Sequence, residues 1–297
     1  MGGLSPPPHR DDRGVPPGGG QDVLARTIAA VGEEVTDVDF RVVNREGSGG
    51  LVGNTWAAQE ASEDGYDVLV SVNPFLFFDI LINDGDFTPD DFEPLVWVGF
   101  DPILHIVRAD SEIGEWDYEE ILEHAEDNSS DIDVGVIPDN AFQFATIAIE
   151  DEREVQFNHV AFDGGAPGVE ALLGGHIDMT NAFHAEVDQY LESGELRAVA
   201  TTEPYEPLPD VPAFSEFGAD LAHQTFGAAR FVALPDEVDE EVSDYLHDLF
   251  LYILSTDEAE EAFDDAGLVL EPAPQAETVE VYDEAWETLS DMVEEME

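Results

Sequence analysis

The stretch His159-Val-Ala-Phe-Asp-Gly-Gly-Ala-Pro-Gly-Val-Glu-Ala-Leu-Leu-Gly-Gly-His-Ile-Asp178 decides the fold class. Its spacing predicts a strand over 157–161, a glycine loop, a helix over 166–174 and a second strand over 176–180. Short strand–helix–strand units of this kind build parallel sheets covered by helices. The alternation extends both ways. Upstream come a helix over 22–34 with Val23, Leu24, Ile28 and Val31 roughly on one face, a strand over 39–44, a helix over 51–61 and a buried strand over 67–72. Strands over 95–100, 103–108 and 132–137 and a helix over 140–152 follow. Downstream lie a helix over 184–192, a strand over 197–202, a Pro-rich bend, a strand over 224–234 and helices near 237–254, 257–265 and 276–296. Met1–Gly20 is Pro, Gly and charge, with no stable element and no apolar core of a signal peptide.

Sheets of this kind bind ligands beyond the carboxyl ends of their strands. Three glycine loops stand before helices: Gly18-Gly-Gly-Gln-Asp22, Gly47-Ser-Gly-Gly-Leu-Val-Gly53 and Asp163-Gly-Gly-Ala-Pro-Gly168. In each, exposed N–H groups at a helix N-terminus favour an anion, and glycine permits close approach. The second loop nearly matches a dinucleotide fingerprint. Its third Gly falls one position late, however, and the next strand supplies no acidic partner, so tight turn geometry is the better reading.

Composition narrows the chemistry. The 297 residues suffice for two lobes, and 70 Asp and Glu oppose 9 basic residues for a formal charge of −61. All nine are Arg. Self-repulsion on this scale opposes a compact state in dilute buffer, whereas molar salt cuts the Debye length to about 3 Å. The chain therefore reads as an extreme halophile's protein. The same charge argues against nucleic acid and anionic membrane surfaces as partners. Without Cys or Lys, thiolate chemistry, the Walker A lysine and Schiff bases are excluded. The eight His form no metal-ligand spacing, Asn83–Asp91 fails the EF-hand order, and no GxSxG elbow is present. No metal, cofactor or catalytic constellation is expected.

Seven runs then appear in order. Pro17-Gly-Gly-Gly-Gln-Asp-Val-Leu-Ala-Arg26 is followed by Val42-Val-Asn-Arg-Glu-Gly-Ser-Gly-Gly50, Asp64-Gly-Tyr-Asp-Val-Leu69 and His159-Val-Ala-Phe-Asp-Gly-Gly-Ala-Pro167. Leu172-Leu-Gly-Gly-His-Ile-Asp178, Gly194-Glu-Leu-Arg-Ala198 and Leu208-Pro-Asp-Val-Pro212 complete the series. Together they resemble the Bug-type extracytoplasmic receptors of tripartite tricarboxylate transporters. The resemblance implies a type II periplasmic-binding-protein fold, α/β with two lobes, mixed but mainly parallel sheets and a hinge. Lobe one would be 15–102 plus 229–297 and lobe two 103–228, with crossings near Gly99–Ile106 and Gln224–Val232. Residues 1–14 would be an irregular segment standing where the family has its first strand.

The resemblance also implies the site. Gly18, Gly19, Gly20, Gln21 and Asp22 would form one jaw, with Ser71, Val72 and Asn73 beside it. Pro138, Asp139, Asn140 and Ala141 would open a helix on the other lobe, and Asp163, Gly164, Gly165 and Ala166 would form the facing jaw. Asp139 is expected to cap that helix. A side chain at Gly165 is expected to take the anion's place. Arg230 would reach a distal carboxylate or lie on the surface, and Phe75, Phe77, Phe78, Phe142 and Phe144 read mainly as core. The implied protein is a monomeric receptor at the cell exterior. It would deliver a small di- or tricarboxylate to membrane subunits, with a recorded start that is not the natural one. The rivals are a nucleotide-dependent oxidoreductase using Gly47–Gly53 and a ligand sensor for a signalling kinase.

Overall fold

The computed structural model of the chain describes residues 20–45, 50–219 and 224–296. Helices α1 (Gly20–Val35) and α2 (Leu51–Gln59) precede β1 (Leu69–Asn73), α3 (Phe75–Leu81) and β2 (Phe92–Pro102). Next come β3 (Leu104–Arg108), α4 (Tyr118–Asp127), β4 (Asp133–Val136), α5 (Ala141–Arg153), β5 (Asn158–Ala161) and α6 (Gly165–Leu173). The chain continues through β6 (Met179–Ala182), α7 (His184–Ser193), β7 (Leu196–Thr201) and β8 (Gly227–Pro235). It closes with α8 (Glu240–Leu254), α9 (Asp257–Asp265) and α10 (Gln275–Met296). The expected irregular segment 1–14 lies outside the described residues.

Two sheets result, ordered β1-β8-β2 and β5-β4-β6-β3-β7. β4 is parallel to β5 and β6, β3 is antiparallel to β6 and β7, and β8 is antiparallel to β1 and β2. This is the expected two-sheet α/β class, with more antiparallel pairing than repeated crossover units imply. The cause is β2 and β8. One carries the chain out of the first sheet and the other brings it back, so as neighbours they run in opposite directions. Ile103 alone separates β2 from β3, and residues 202–226 lead from β7 to β8. Buried Thr202 clips the two crossings together. Its hydroxyl accepts the Ile103 N–H at 3.1 Å and donates to the Phe226 carbonyl at 2.6 Å.

Burial follows hydrophobic spacing. Leu24, Ile28 and Val31 of α1 pack with Leu95, Val98, Val232 and Phe250. A second cluster joins Phe77 and Phe78 of α3 to Phe142 and Phe144 of α5. Phe78 stacks on Phe144 with centroids 4.8 Å apart and planes 21° apart, an arrangement worth about 0.5–1.5 kcal/mol beyond area burial.

Three local expectations need correction. Residues 39–44 form no regular element and join no ladder among the described residues. Apolar alternation makes a strand only where a neighbouring edge accepts its hydrogen bonds. Residues 75–81 and 118–127 are helices that the sequence reading did not include. The second carries a visible start signal: Asp117 accepts the Glu120 N–H and Glu120 accepts the Asp117 N–H, both at 2.9 Å.

Only Asp22, Asp79 and Asp101 are buried acids among the described residues, so the negative charge sits on the surface. Pairs such as Arg108–Asp110 and Arg153–Glu119 are partly exposed. Such pairs stabilise by roughly 0–1 kcal/mol each, and nine Arg cannot offset 70 acids. The unfolding midpoint should therefore climb as NaCl or KCl is raised from about 0.1 M to 1 M and beyond, while the Debye length shrinks from about 10 to 3 Å. A rise of at least about 10 °C is expected, roughly 3–5 kcal/mol for a domain of this size. A flat midpoint in a salt-series melt would refute the screening argument.

Candidate functional site

β5, β4 and β6 are parallel neighbours, and each feeds a helix: α6, α5 and α7 respectively. The three helices therefore begin side by side beyond one edge of the sheet. Each start leaves N–H groups without intrahelical partners and a positive dipole end. Gly135, Ile137, Phe142, Gly164, Thr180 and Asn181 come together there around a narrow crevice too tight in this conformation to hold a water molecule. Two glycines let α6 lie close on the sheet. A Cβ on Gly135 would stand 2.6 Å from Thr180 Oγ1, and one on Gly168 would stand 2.9 Å from it.

The four residues from Pro138 to Ala141 lead from β4 into α5, but the cap is Asn140. Its Oδ1 accepts the Phe142 N–H at 3.2 Å. Asp139 adopts the left-handed region, φ 53°, and donates its own N–H to Gln143 Oε1 at 2.9 Å. Its expected capping role is corrected accordingly: the turn places Asn140 one residue nearer the free amides.

Asp163, Gly164, Gly165 and Ala166 carry the chain from β5 into α6, with Gly164 as N-cap in extended backbone. A Cβ on Gly164 would meet nothing nearer than Pro167 Cδ at 3.9 Å. One on Gly165 would come within 2.8 Å of Glu186 Oε1 and 3.2 Å of Oε2. The expectation for Gly165 is thus corrected: a side chain there meets a carboxylate already in place, and Gly164 faces the open space. Glu186 sits in the first turn of α7 and accepts the Phe183 N–H at 2.9 Å. Loss of hydration raises its pKa above the usual carboxylate value, partly offset by that N–H.

On the other side, Gly18 and Gly19 lie outside the described residues. Gly20 opens α1, and Gln21 and Asp22 occupy its first turn. Asp22 is buried, 2.8 Å from Arg26 Nε, and accepts a 2.5 Å hydrogen bond from Asn44 Nδ2. The neighbouring Arg45 guanidinium lies 3.5 Å over the Trp56 ring.

Ser71, Val72 and Asn73 end β1 and are buried, with Val72 and Asn73 opposite Arg230 and Ala229 of β8. Asn73 Oδ1 has no hydrogen-bond partner among the described residues, which costs roughly 1–3 kcal/mol unless a donor arrives. Arg230 is buried and ion-paired with Asp101. That overturns its surface reading, because two adjacent strands of one sheet present the pair to each other. Burial, with the Asp101 charge adding to it, raises the Tyr205 hydroxyl's pKa, and that hydroxyl lies 3.4 Å from His184 Nδ1 on α7.

The structure thus gathers residues 138–141 and 163–166 at one sheet edge. Phe78–Phe144 contact brings α3 and α5 together, and these begin just beyond Asn73 and Asn140. Asn44, Asn181, Thr180 and Glu186 were missed by the sequence reading. Glu186 had a signal, since α7 follows its strand as α5 and α6 follow theirs, yet no glycines mark its start. Gly47–Gly49 of the nucleotide-like loop lie outside the described residues, and its preceding segment joins no ladder among those described. Among the described residues no cluster of three or more His, Asp or Glu is placed to hold a metal, and no helix is long and apolar enough to cross a membrane.

Asn181 also links the crevice to a buried network. It donates to Thr146 Oγ1 at 3.1 Å, Thr146 lies 3.4 Å from His105 Nε2, and His105 Nδ1 lies 2.7 Å from the Tyr118 hydroxyl.

A family model described as tripartite tricarboxylate transporter family receptor matches residues 25–286. A protein from the tcbD–tcbE intergenic region of Pseudomonas sp. strain P51 is 27% identical over 205 residues, which is 68% of this chain and 60% of that protein's length. A TctC solute-binding protein from Polaromonas, solved without ligand, is 25% identical with a TM-score of 0.76, covering 93% of this chain and 95% of its own. MatC from Rhodopseudomonas palustris, solved with bound malate, has the same fold at 22% identity and a TM-score of 0.70, covering 93% and 95%.

Burial pushes the His105 imidazolium down from 6.5 to about 3, a shift opposed by Asn181 and reinforced by His159. The unfolded chain therefore binds a proton that the native state refuses. Stability should fall as pH drops from 6.5 towards 3, by up to about 1.4 kcal/mol per unit from this group. In molar salt, His105→Gln should unfold with a shallower acid slope than the parent, since carboxylate titration is common to both. Equal slopes between about pH 6 and 4 would exclude a buried neutral His105.

Proposed function

Because the chain belongs to the tripartite tricarboxylate transporter family of receptors, we propose that it captures a small carboxylate between two lobes and delivers it to membrane subunits of such a transporter. The observation that carries this reading is the side-by-side start of α5, α6 and α7 beyond β4, β5 and β6. The crevice between them is lined by Gly135, Gly164, Gly165 and Gly168, which lets a ligand approach the backbone closely. Charge-assisted hydrogen bonds to a carboxylate are among the stronger polar contacts. They act at about 3 Å, within the Debye length of molar salt, whereas the field of the whole acidic surface is screened. Malate bound to MatC, which shares the fold, fits the same ligand class.

The lobes are residues 15–102 with 229–297, and 103–228. They close about the two strand crossings, a hinge motion. On closure Asn73 Oδ1 would gain a donor from the ligand or from a bridging water. Arg230 serves by fixing Asp101 and Tyr205 rather than by touching a distal carboxylate. The protein acts as a monomer outside the cytoplasm and binds its ligand without transforming it.

Thermal-shift titration in molar salt tests the reading: dicarboxylates or citrate should raise the midpoint and NAD(P) should not. Gly164→Val should lower carboxylate affinity by about tenfold or more, the equivalent of one lost charge-assisted hydrogen bond, with an unchanged melting temperature without ligand. Unaltered affinity in that variant would remove the α6 N-terminus from the site.

A further inference from the structure

We propose that Asn128 is a modification site and carries an N-linked glycan. This rests on the placement of the chain outside the cytoplasm, not on the identity of its ligand. Enzymes that glycosylate asparagine read Asn-X-Ser or Asn-X-Thr, with X other than Pro. Of the eight asparagines, only Asn128 opens such a triplet, Asn128-Ser129-Ser130.

The fold presents this triplet and commits the other asparagines elsewhere. Asn54, Asn73 and Asn181 are buried. Asn44, Asn83 and Asn158 donate to Asp22, Asp79 and Asp133, and Asn140 caps α5. Asn128, Ser129 and Ser130 are all exposed. They form the turn between α4 and β4, which the Asp131 N–H closes by donating to the Asn128 carbonyl at 3.2 Å. Asn128 Nδ2 donates to the His124 carbonyl at 3.0 Å. That uses one of its two hydrogens and leaves the other to be replaced. Ser129 Oγ is engaged with Gln156 Oε1 at 3.2 Å. The Ser130 hydroxyl, which completes the triplet, makes no hydrogen bond among the described residues and is open to recognition.

The turn precedes β4, so it lies at the strand end opposite to the starts of α5, α6 and α7. A glycan is bulky and suits a surface, and here it clears the ligand crevice. The donor is an oligosaccharide carried on a lipid phosphate. The bond from the sugar C1 to the phosphate oxygen breaks as C1 bonds to Nδ2. Nδ2 gives up one proton, and the lipid phosphate leaves. The hydrogen that stays on Nδ2 keeps the bond to the His124 carbonyl, so the turn survives the modification.

The test is mass spectrometry of the full chain purified from fractions of its native cells. Cleavage at arginine releases Ala109–Arg153, which holds this triplet alone. The peptide should carry a sugar mass increment that fragmentation assigns to Asn128. In the same cells the increment should vanish in Asn128→Gln and Ser130→Ala and persist in Ser130→Thr, with carboxylate affinity unchanged in all three. A bare peptide from chain in the exterior fraction, sugar on Ser129 or Ser130, or an increment that survives Ser130→Ala overturns the site while the receptor reading stands. Chain confined to the cytoplasmic fraction refutes the exterior placement, and this inference with it.

Discussion

Parallel pairing of β4 with β5 and β6 is the constraint on which the site depends. Strands that run the same way deliver their following helices to the same edge, so three helix N-termini meet without any residue being chosen to bring them there. Thr180 and the two glycines facing it then set how closely α6 lies on that sheet. What remains for evolution to vary is the first turn of each helix. Those turns follow Asn140, Gly164 and Phe183, three caps of different chemistry.

The scarcity of positive side chains shapes the rest. Buried Arg230 is committed to Asp101 and Arg26 to Asp22, so neither is left to meet an anion, and the backbone is the main remaining source of donors at the helix starts. Backbone donors carry no net charge and are unaffected by the surface that surrounds them. A protein can therefore accumulate acidic residues on its exterior, tuned to concentrated salt, without altering the chemistry of its interior. The separation is visible in burial: three acids lie inside among the described residues, and each is held by a neighbour.

Much of this was legible in the sequence, and the parts that were not share a cause. The run from His159 to Thr201 reads as the right series of elements, with its middle strand displaced from 176–180 to Met179–Ala182, because short loops and helix periodicity mark each element locally. Residues 39–44 carry the alternation of a strand, yet a strand needs an edge, and edges are set by distant residues. Phe75–Leu81 hid as a helix because seven residues, all apolar but Asp79, have no period to read. Asp139 and Asn140 are adjacent and both suited to capping, and only the turn decides between them. Glu186 is a surface-type residue in a chain full of them. Its meaning comes from Gly165, 21 positions earlier, and the sequence does not show that the two meet.

Thr202 has a mechanical consequence. One hydroxyl holds both strand crossings, from Ile103 on the outgoing side and Phe226 on the returning side. Two independent flexures would let one half of the molecule twist as well as swing against the other. A shared pivot couples them instead: neither crossing can bend without straining the hydrogen bond that holds the other.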